Sequence, residues 1–103
     1  MGYEIMAHNV DLTDQTRAQI LTKVGKIDKY LTDVPEENVF LRIRLSPNAQ
    51  NPRWVDALID LDLPDSVLIG SDSANNAVHA VHLAVISLER QLTERKERSK
   101  PYV

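Results

Sequence analysis

The stretch VLIGSDSANNAVHAVHLAVISLERQL, residues 67–92, decides the fold. It opens with a short apolar run and continues through Gly70-Ser71-Asp72-Ser73, a composition typical of a tight turn. A helical pattern follows, because at about 100° per residue six apolar positions fall on one face. These positions are Ala77, Val81, Ala84, Val85, Leu88 and Leu92. We therefore expect a strand (67–70), a turn and a long helix whose apolar face needs a sheet to cover.

The residues before this stretch predict that sheet and one more helix. Residues 3–7 alternate as a first strand, and Thr13 is a good N-cap for a helix that extends to about Leu31. The buried stripe of this helix is Ile20, Leu21, Val24, Ile27 and Leu31. Residues 39–45 and 54–63 alternate as two further strands, with apolar side chains on one side and charged ones on the other.

The predicted order is therefore β-α-β-β-β-α in a single domain, residues 1–103. Three strands joined by short loops form an antiparallel meander, and the first strand joins it through a helical crossover. With both helices on one face of a four-stranded sheet, the fold class is a two-layer α+β sandwich.

Composition limits the classes of function. The chain has 103 residues, a net charge of −3 and no cysteine, which excludes disulfides and thiolate metal sites. No apolar run reaches the roughly 20 residues that span a bilayer, and the N-terminus lacks a secretory pattern. We expect a cytoplasmic protein without contact to membranes. No catalytic motif is present, so we expect neither an enzyme nor a cofactor or small-molecule substrate.

Two groups of basic residues are candidates for contact with nucleic acid. Lys23, Lys26 and Lys29 recur along the first helix, joined by Arg17, and can follow a phosphate backbone. The second group, at the end of the long helix, consists of Arg90, Arg95, Lys96 and Arg98. Solvated helix faces and a salt-bridged helix end are the alternatives to an RNA-binding role.

On the side of the sheet without helices, Arg42 and Arg44 face Asp56 and Asp60 of the next strand. We interpret these charges as cross-strand ion pairs.

The long helix carries two further features. His79 and His82 are spaced i, i+3, but no acid or cysteine stands at ligand spacing, so we expect no metal site. His79, Leu83 and Ile86 form a row opposite the core stripe. Such a row marks a contact surface, and we predict a homodimer or a protein partner there.

Four segments carry a family resemblance: VDLT at 10–13, KVGKIDKY at 23–30, VLIGS at 67–71 and LERQL at 88–92. With this element order, the chain resembles the ribosome hibernation-promoting factor and ribosome-associated inhibitor family, also called sigma-factor modulation proteins. It looks like the short form of the family, without a C-terminal dimerisation domain. The resemblance implies a fold similar to a double-stranded RNA-binding domain.

The resemblance also implies a function. Family members bind the small ribosomal subunit in the channel for messenger and transfer RNA, where they block translation and protect idle ribosomes. Ribosomal RNA would then be the partner of the basic residues named above. The alternative is a divergent member that keeps the fold, binds RNA weakly or not at all, and acts as an interaction or dimerisation module. The negative net charge and the absence of a basic residue in Ser71-Asp72-Ser73 favour this alternative.

Overall fold

The computed structural model describes the backbone of residues 1–99 and the side chains of residues 1–95, in the predicted element order. The strands are β1 (Gly2–Ala7), β2 (Phe40–Pro47), β3 (Val55–Asp62) and β4 (Val67–Ala74). The helices are α1 (Asp14–Val24) and α2 (Ala77–Ser99), and shorter 3-10 helices cover Gly25–Tyr30 and Glu36–Asn38.

The four strands form one sheet in the order β1-β2-β3-β4. β1 is parallel to β2 because the chain returns through α1, whereas β2, β3 and β4 are antiparallel neighbours joined by short connections. One row of partners crosses the whole sheet, from Ile5 through Ile43 and Ile59 to Gly70. The predicted two-layer α+β sandwich is confirmed.

The core lies between the sheet and the two helices. Alternate residues of β2 and β3, such as Ile43 and Ile59, are fully buried, and so are Val81, Ala84 and Leu88 of α2. The predicted apolar stripe of α2 is therefore the face that covers the sheet. Among the described residues, no helix has both the length and the apolar character needed to cross a membrane.

The first helix begins as predicted and ends earlier. The Thr13 side chain accepts a hydrogen bond from the Thr16 amide at 3.1 Å, the geometry of an N-cap. The prediction that the α-helix extends to Leu31 was wrong, because it ends at Val24 and the chain continues as a 3-10 helix. Val24 and Ile27 are three residues apart, so a 3-10 helix with three residues per turn keeps both buried.

The expected turn at Gly70-Ser71-Asp72-Ser73 is part of β4, which continues to Ala74. Ser73 pairs with Asp56, and Ala74 is buried against the core. The turn is Asn75-Asn76, where the Asn76 side chain accepts a 2.8 Å hydrogen bond from the His79 amide and caps α2. β4 lies at the edge of the sheet, and exposed polar residues on an edge strand have the composition of a turn.

α2 packs directly against β4 at Gly70. A Cβ built on Gly70 would overlap the Ala84 carbonyl oxygen and come within 2.9 Å of Leu88 Cγ. One turn beyond, Gln91 Nε2 donates a 2.7 Å hydrogen bond to the Ile69 carbonyl oxygen. These contacts set the rotation of α2 about its axis, and so determine which of its flanks faces α1.

Candidate nucleic-acid interface

α1 and the 3-10 helix after it run beside α2 in the same direction. At one end, Gln19 and Val78 line the same groove between the two helices. At the other end, Tyr30 Oη donates a 3.1 Å hydrogen bond to Glu89 Oε2. The flank of α2 between these points, which carries His82, therefore faces the C-terminal end of α1.

The three lysines of the predicted stripe lie on α1 and the 3-10 helix, beside this flank of α2. Lys23 is half-buried in the last turn of α1, and Lys26 and Lys29 are exposed in the 3-10 helix. Burial and then the charges of Lys23 and Lys26 lower the pKa of His82, so both ammonium groups act on this ring. Lys29 Nζ lies 4.0 Å from Glu89 Oε2. The structure thus brings the lysines together with residues of α2.

The rings of His79 and His82 stack beside the lysines, with centroids 6.1 Å apart and planes at 23°. His79 is exposed and His82 is half-buried. In the described part of the chain, His82 Nδ1 is buried and has no hydrogen-bond partner. We call the set of Lys23, Lys26, Lys29, His79 and His82 the lysine–histidine cluster.

The surroundings of His82 keep its ring neutral at neutral pH. Its pKa is held below the ordinary value of 6.5, first by burial and then by the charges of Lys23, Lys26 and His79. Glu89 acts in the opposite direction. Among the described residues, no three histidine, aspartate or glutamate side chains converge as metal ligands.

Arg95 lies on the opposite flank of α2. Its Nη2 donates to both carboxylate oxygens of Asp65, at 3.2 and 3.3 Å, and this contact lowers the pKa of Asp65. Gln91 is one turn earlier on the same flank, since the two residues are spaced i, i+4. Arg95 is therefore held at the connection between β3 and β4, away from the lysine–histidine cluster.

The other predicted basic residues are dispersed. Arg17 is exposed near the start of α1 and six residues before Lys23, which puts the two about 120° apart around the helix. Arg90 is exposed on the outer side of α2. The side chains of Lys96 and Arg98 lie outside the described residues.

The predicted contact row on α2 is only partly apolar at the surface. Ile86 is 41% exposed and His79 is exposed, but Leu83 is half-buried and packs against the core. Ile86 is therefore the apolar side chain of this row that is available for contact with another molecule.

The helix-free side of the sheet contains the expected cross-strand ion pair, with a different acid. Arg42 Nη1 binds Asp62 Oδ2 at 3.0 Å, although its direct partner in the register is Asp60. The guanidinium also lies over the Phe40 ring, 5.2 Å from its centroid. Because Phe40 is opposite Asp62, stacking on the ring draws Arg42 diagonally toward that acid.

A second prediction for this side of the sheet, an ion pair of Asp56, was also wrong. Asp56 instead accepts hydrogen bonds from the Ser73 hydroxyl and from Asn48 Nδ2, the latter at 2.8 Å. These two donors, Ser73 first, lower the pKa of Asp56. The carboxylate thus ties β4 to β3 and to the hairpin loop.

The charges of residues 1–95 are divided unevenly between the helical segments and the rest of the chain. The helical segments 14–30 and 77–95 carry six basic and four acidic residues, and the remainder of residues 1–76 carries three basic and ten acidic ones. The helical set is Arg17, Lys23, Lys26, Lys29, Arg90 and Arg95 against Asp14, Asp28, Glu89 and Glu94. An acidic total charge is therefore compatible with a basic helical layer, and local charge decides contact with phosphates.

A groove of about 600 Å³ lies elsewhere. It runs between β1 and the 3-10 helix, and its lining includes Tyr3, Leu31 and Val39 together with the acids Asp28 and Glu36. No lysine or arginine lines it among the described residues. This groove therefore does not attract phosphate.

The sequence belongs to a known family. Residues 3–100 match the family described as Sigma 54 modulation protein / S30EA ribosomal protein, so the chain is a member of that family. It is 26% identical over 98 residues to the ribosome hibernation promotion factor of Lactococcus lactis subsp. cremoris (strain MG1363). It is 28% identical over 98 residues to the factor of the same name from Staphylococcus aureus (strain COL). These matches cover 93% of this chain and 50% and 48% of the relatives, so the chain spans about half their length.

Solved structures show the same fold. The Thermus thermophilus Protein Y N-terminal domain matches with a TM-score of 0.76 and 23% identity over 92% of this chain and 99% of that one. A ribosomal subunit interface protein from Coxiella burnetii matches with a TM-score of 0.74 and 17% identity over 94% and 99%. The α+β architecture is thus the one found in these structures.

The residue that sequence reasoning missed is His82, which was considered there only as a possible metal ligand. Its position between the core stripe and the outer row of α2 is visible in the sequence. Which flank of α2 faces the lysines is not visible there, because it depends on the packing of α2 at Gly70.

Proposed function

We propose that this chain binds the small ribosomal subunit, occupies the channel for messenger and transfer RNA, and so keeps idle ribosomes inactive. Membership of the family supports this proposal, as do the names of the two curated relatives. A ribosome-bound role also agrees with the expected cytoplasmic location and with a binding protein that has no enzymatic turnover.

The observation that carries the proposal is that the segment holding Lys23, Lys26 and Lys29 packs beside α2, where Tyr30 and Lys29 both contact Glu89. Each lysine–phosphate contact releases counterions and adds affinity that does not depend on RNA sequence. A rigid pair of helices that presents cations suits RNA, because proteins recognise helical RNA mainly through its shape and phosphates.

The acidic sheet gives this binding an orientation. The four strands carry two basic and five acidic residues, so the sheet side is repelled by RNA. The helical layer therefore faces ribosomal RNA, and the sheet faces solvent.

Competition for the channel tests the proposal. Purified protein is sedimented with small subunits, with large subunits, and with small subunits preloaded with messenger and transfer RNA. We expect near-stoichiometric binding to free small subunits at about 0.15 M salt, and loss of binding to preloaded ones. If preloading does not change binding, the protein does not occupy the channel. If the protein binds large subunits equally well, it is not specific for the small subunit.

A second candidate function is self-association or contact with a protein through the outer row of α2. The 41% exposure of Ile86 favours it. Sedimentation equilibrium of the wild type and of Ile86→Glu tests this function, with Glu94→Gln as a surface control. A concentration-dependent dimer that only Ile86→Glu abolishes would support it, and a monomer at tens of micromolar would rule out the homodimer.

A further inference from the structure

We infer that His79 and His82 are phosphate-binding residues, and that His82 takes up a proton when an RNA phosphate enters the lysine–histidine cluster. This inference rests on the proposed function and deepens it. It adds two ligands to the basic surface and makes ribosome binding dependent on pH.

The geometry places both rings where a phosphate would bind. Their i, i+3 spacing and the 6.1 Å separation of their centroids put them side by side, with Lys23 and Lys26 across the helix interface. A phosphate oxygen accepts several hydrogen bonds, and ring N–H groups beside ammonium groups are suitable donors. His79 is exposed and His82 is only half-buried, so an incoming anion can reach both.

A purely structural role explains His82 less well. A histidine that anchors a helix interface normally has hydrogen bonds to its buried ring nitrogen. Within the described residues, Nδ1 of His82 is buried without a partner. Nδ1 therefore contributes no hydrogen bond to the helix interface in the free protein.

Four groups face His82 from the elements packed against it. Lys23 comes from α1, Lys26 from the 3-10 helix, and His79 and Glu89 from α2 itself. The first three disfavour the imidazolium and Glu89 favours it, and burial is the largest effect against it. The free protein therefore holds His82 neutral at neutral pH.

A bound phosphate reverses this balance. Its negative charge offsets Lys23 and Lys26 and attracts a positive ring, so the pKa of His82 is higher in the complex than in the free protein. By linkage, binding takes up protons at any pH between the two pKa values, and affinity rises as the pH falls through that range. One titrating group limits the rise to about tenfold per pH unit.

The test compares the wild type with His82→Gln in binding to purified small ribosomal subunits between pH 6 and 8 at fixed salt. His8→Gln is the matched control, because His8 is an exposed histidine just after β1. Any pH dependence of binding that arises from the ribosome itself is the same for all three proteins. We expect the wild type and His8→Gln to bind severalfold more tightly at pH 6 than at pH 8, and His82→Gln to lose most of this dependence.

A second measurement on the wild type guards against misfolding of the variant. Binding enthalpies in buffers with different ionisation enthalpies give the number of protons taken up, and we expect a net uptake near pH 7 that His8→Gln retains. If wild type and His82→Gln bind with the same pH dependence, or if the wild type takes up no protons, the inference is wrong and the proposed function stands. If the wild type binds at no pH, both are wrong.

Discussion

The backbones of β4 and α2 meet so closely that a Cβ on Gly70 would overlap the carbonyl oxygen of Ala84. This contact fixes the rotation of α2 over the sheet, and with it the flank that carries His82 toward the lysines. The composition of the candidate interface therefore depends on a glycine on the opposite side of the helix.

Replacing Gly70 with alanine is expected to destabilise the fold. The added methyl group meets backbone at Ala84 and the branched carbon of Leu88 at 2.9 Å, so α2 must shift. Overpacking of this kind costs about 1–3 kcal/mol in the free energy of unfolding. Urea unfolding followed by circular dichroism measures this loss.

Gly25→Ala is the matched control for Gly70→Ala. Gly25 has a φ of −60°, and a Cβ there meets no other side chain or distant backbone atom within 4 Å among the described residues. We expect it to raise the free energy of unfolding by up to about 1 kcal/mol, because alanine favours helical backbone. An equal effect of the two substitutions would contradict the close approach at Gly70.

Asp56 gives the fold a stability that is lost in acid. Hydrogen bonds from Ser73 and Asn48 hold its pKa below the ordinary value of 3.8, so the folded state binds fewer protons than the unfolded state there. This stabilisation is fully present above about pH 3.8, the ordinary pKa, and decreases as the pH falls through the lower pKa that Asp56 has in the folded state. We expect Asp56→Asn to flatten the acid limb of stability in urea unfolding between about pH 5 and 2. The control, Asp11→Asn in an exposed loop, is expected to lose stability in acid as the wild type does. If Asp56→Asn also lost stability in acid as steeply as the wild type, the stabilising role of the Asp56 carboxylate would be contradicted.

Glu89 places a negative charge beside the lysine–histidine cluster. Its carboxylate lies 4.0 Å from Lys29 Nζ and also accepts the Tyr30 hydrogen bond. Glutamine retains an acceptor for Tyr30 and removes the charge, so we expect Glu89→Gln to bind small subunits severalfold more tightly at neutral pH. Glu94→Gln makes the same change at an exposed site on α2. If Glu94→Gln gained as much affinity for small subunits, binding would depend on total charge and not on the position of Glu89.

Much of the fold was predictable because the core residues repeat with clear periods. Ile43 and Ile59 belong to alternating strands, and Val81, Ala84 and Leu88 to a helical stripe, and all five are buried. The 3-10 helix was missed because Val24 and Ile27, three residues apart, lie on the same buried face in either type of helix. The sequence did not show that β4 continues beyond Gly70, because the next three residues are polar. The apolar residue that indicates a longer strand, the buried Ala74, comes only after them.

The candidate site was only half predictable. The lysines follow from their spacing, but the position of Arg95 does not, since its partner Asp65 is 30 residues away in the sequence. Net charge is also a poor guide to local charge. A total of −3 averages basic helical segments with an acidic remainder of the chain.

The central claim is that Lys23 and Lys26 contact RNA phosphates, and the salt dependence of binding tests it most directly. The association constant for small subunits is measured across a salt series for the wild type, for Lys23→Gln/Lys26→Gln, and for Arg44→Gln/Arg53→Gln. The third protein loses the same charge from exposed positions in β2 and the hairpin loop. Each phosphate contact contributes roughly 0.7–0.9 to the slope of log K against log salt. We predict that the lysine double variant loses about 1.5 from this slope and the arginine double variant keeps the slope of the wild type; equal slopes in all three would contradict the account.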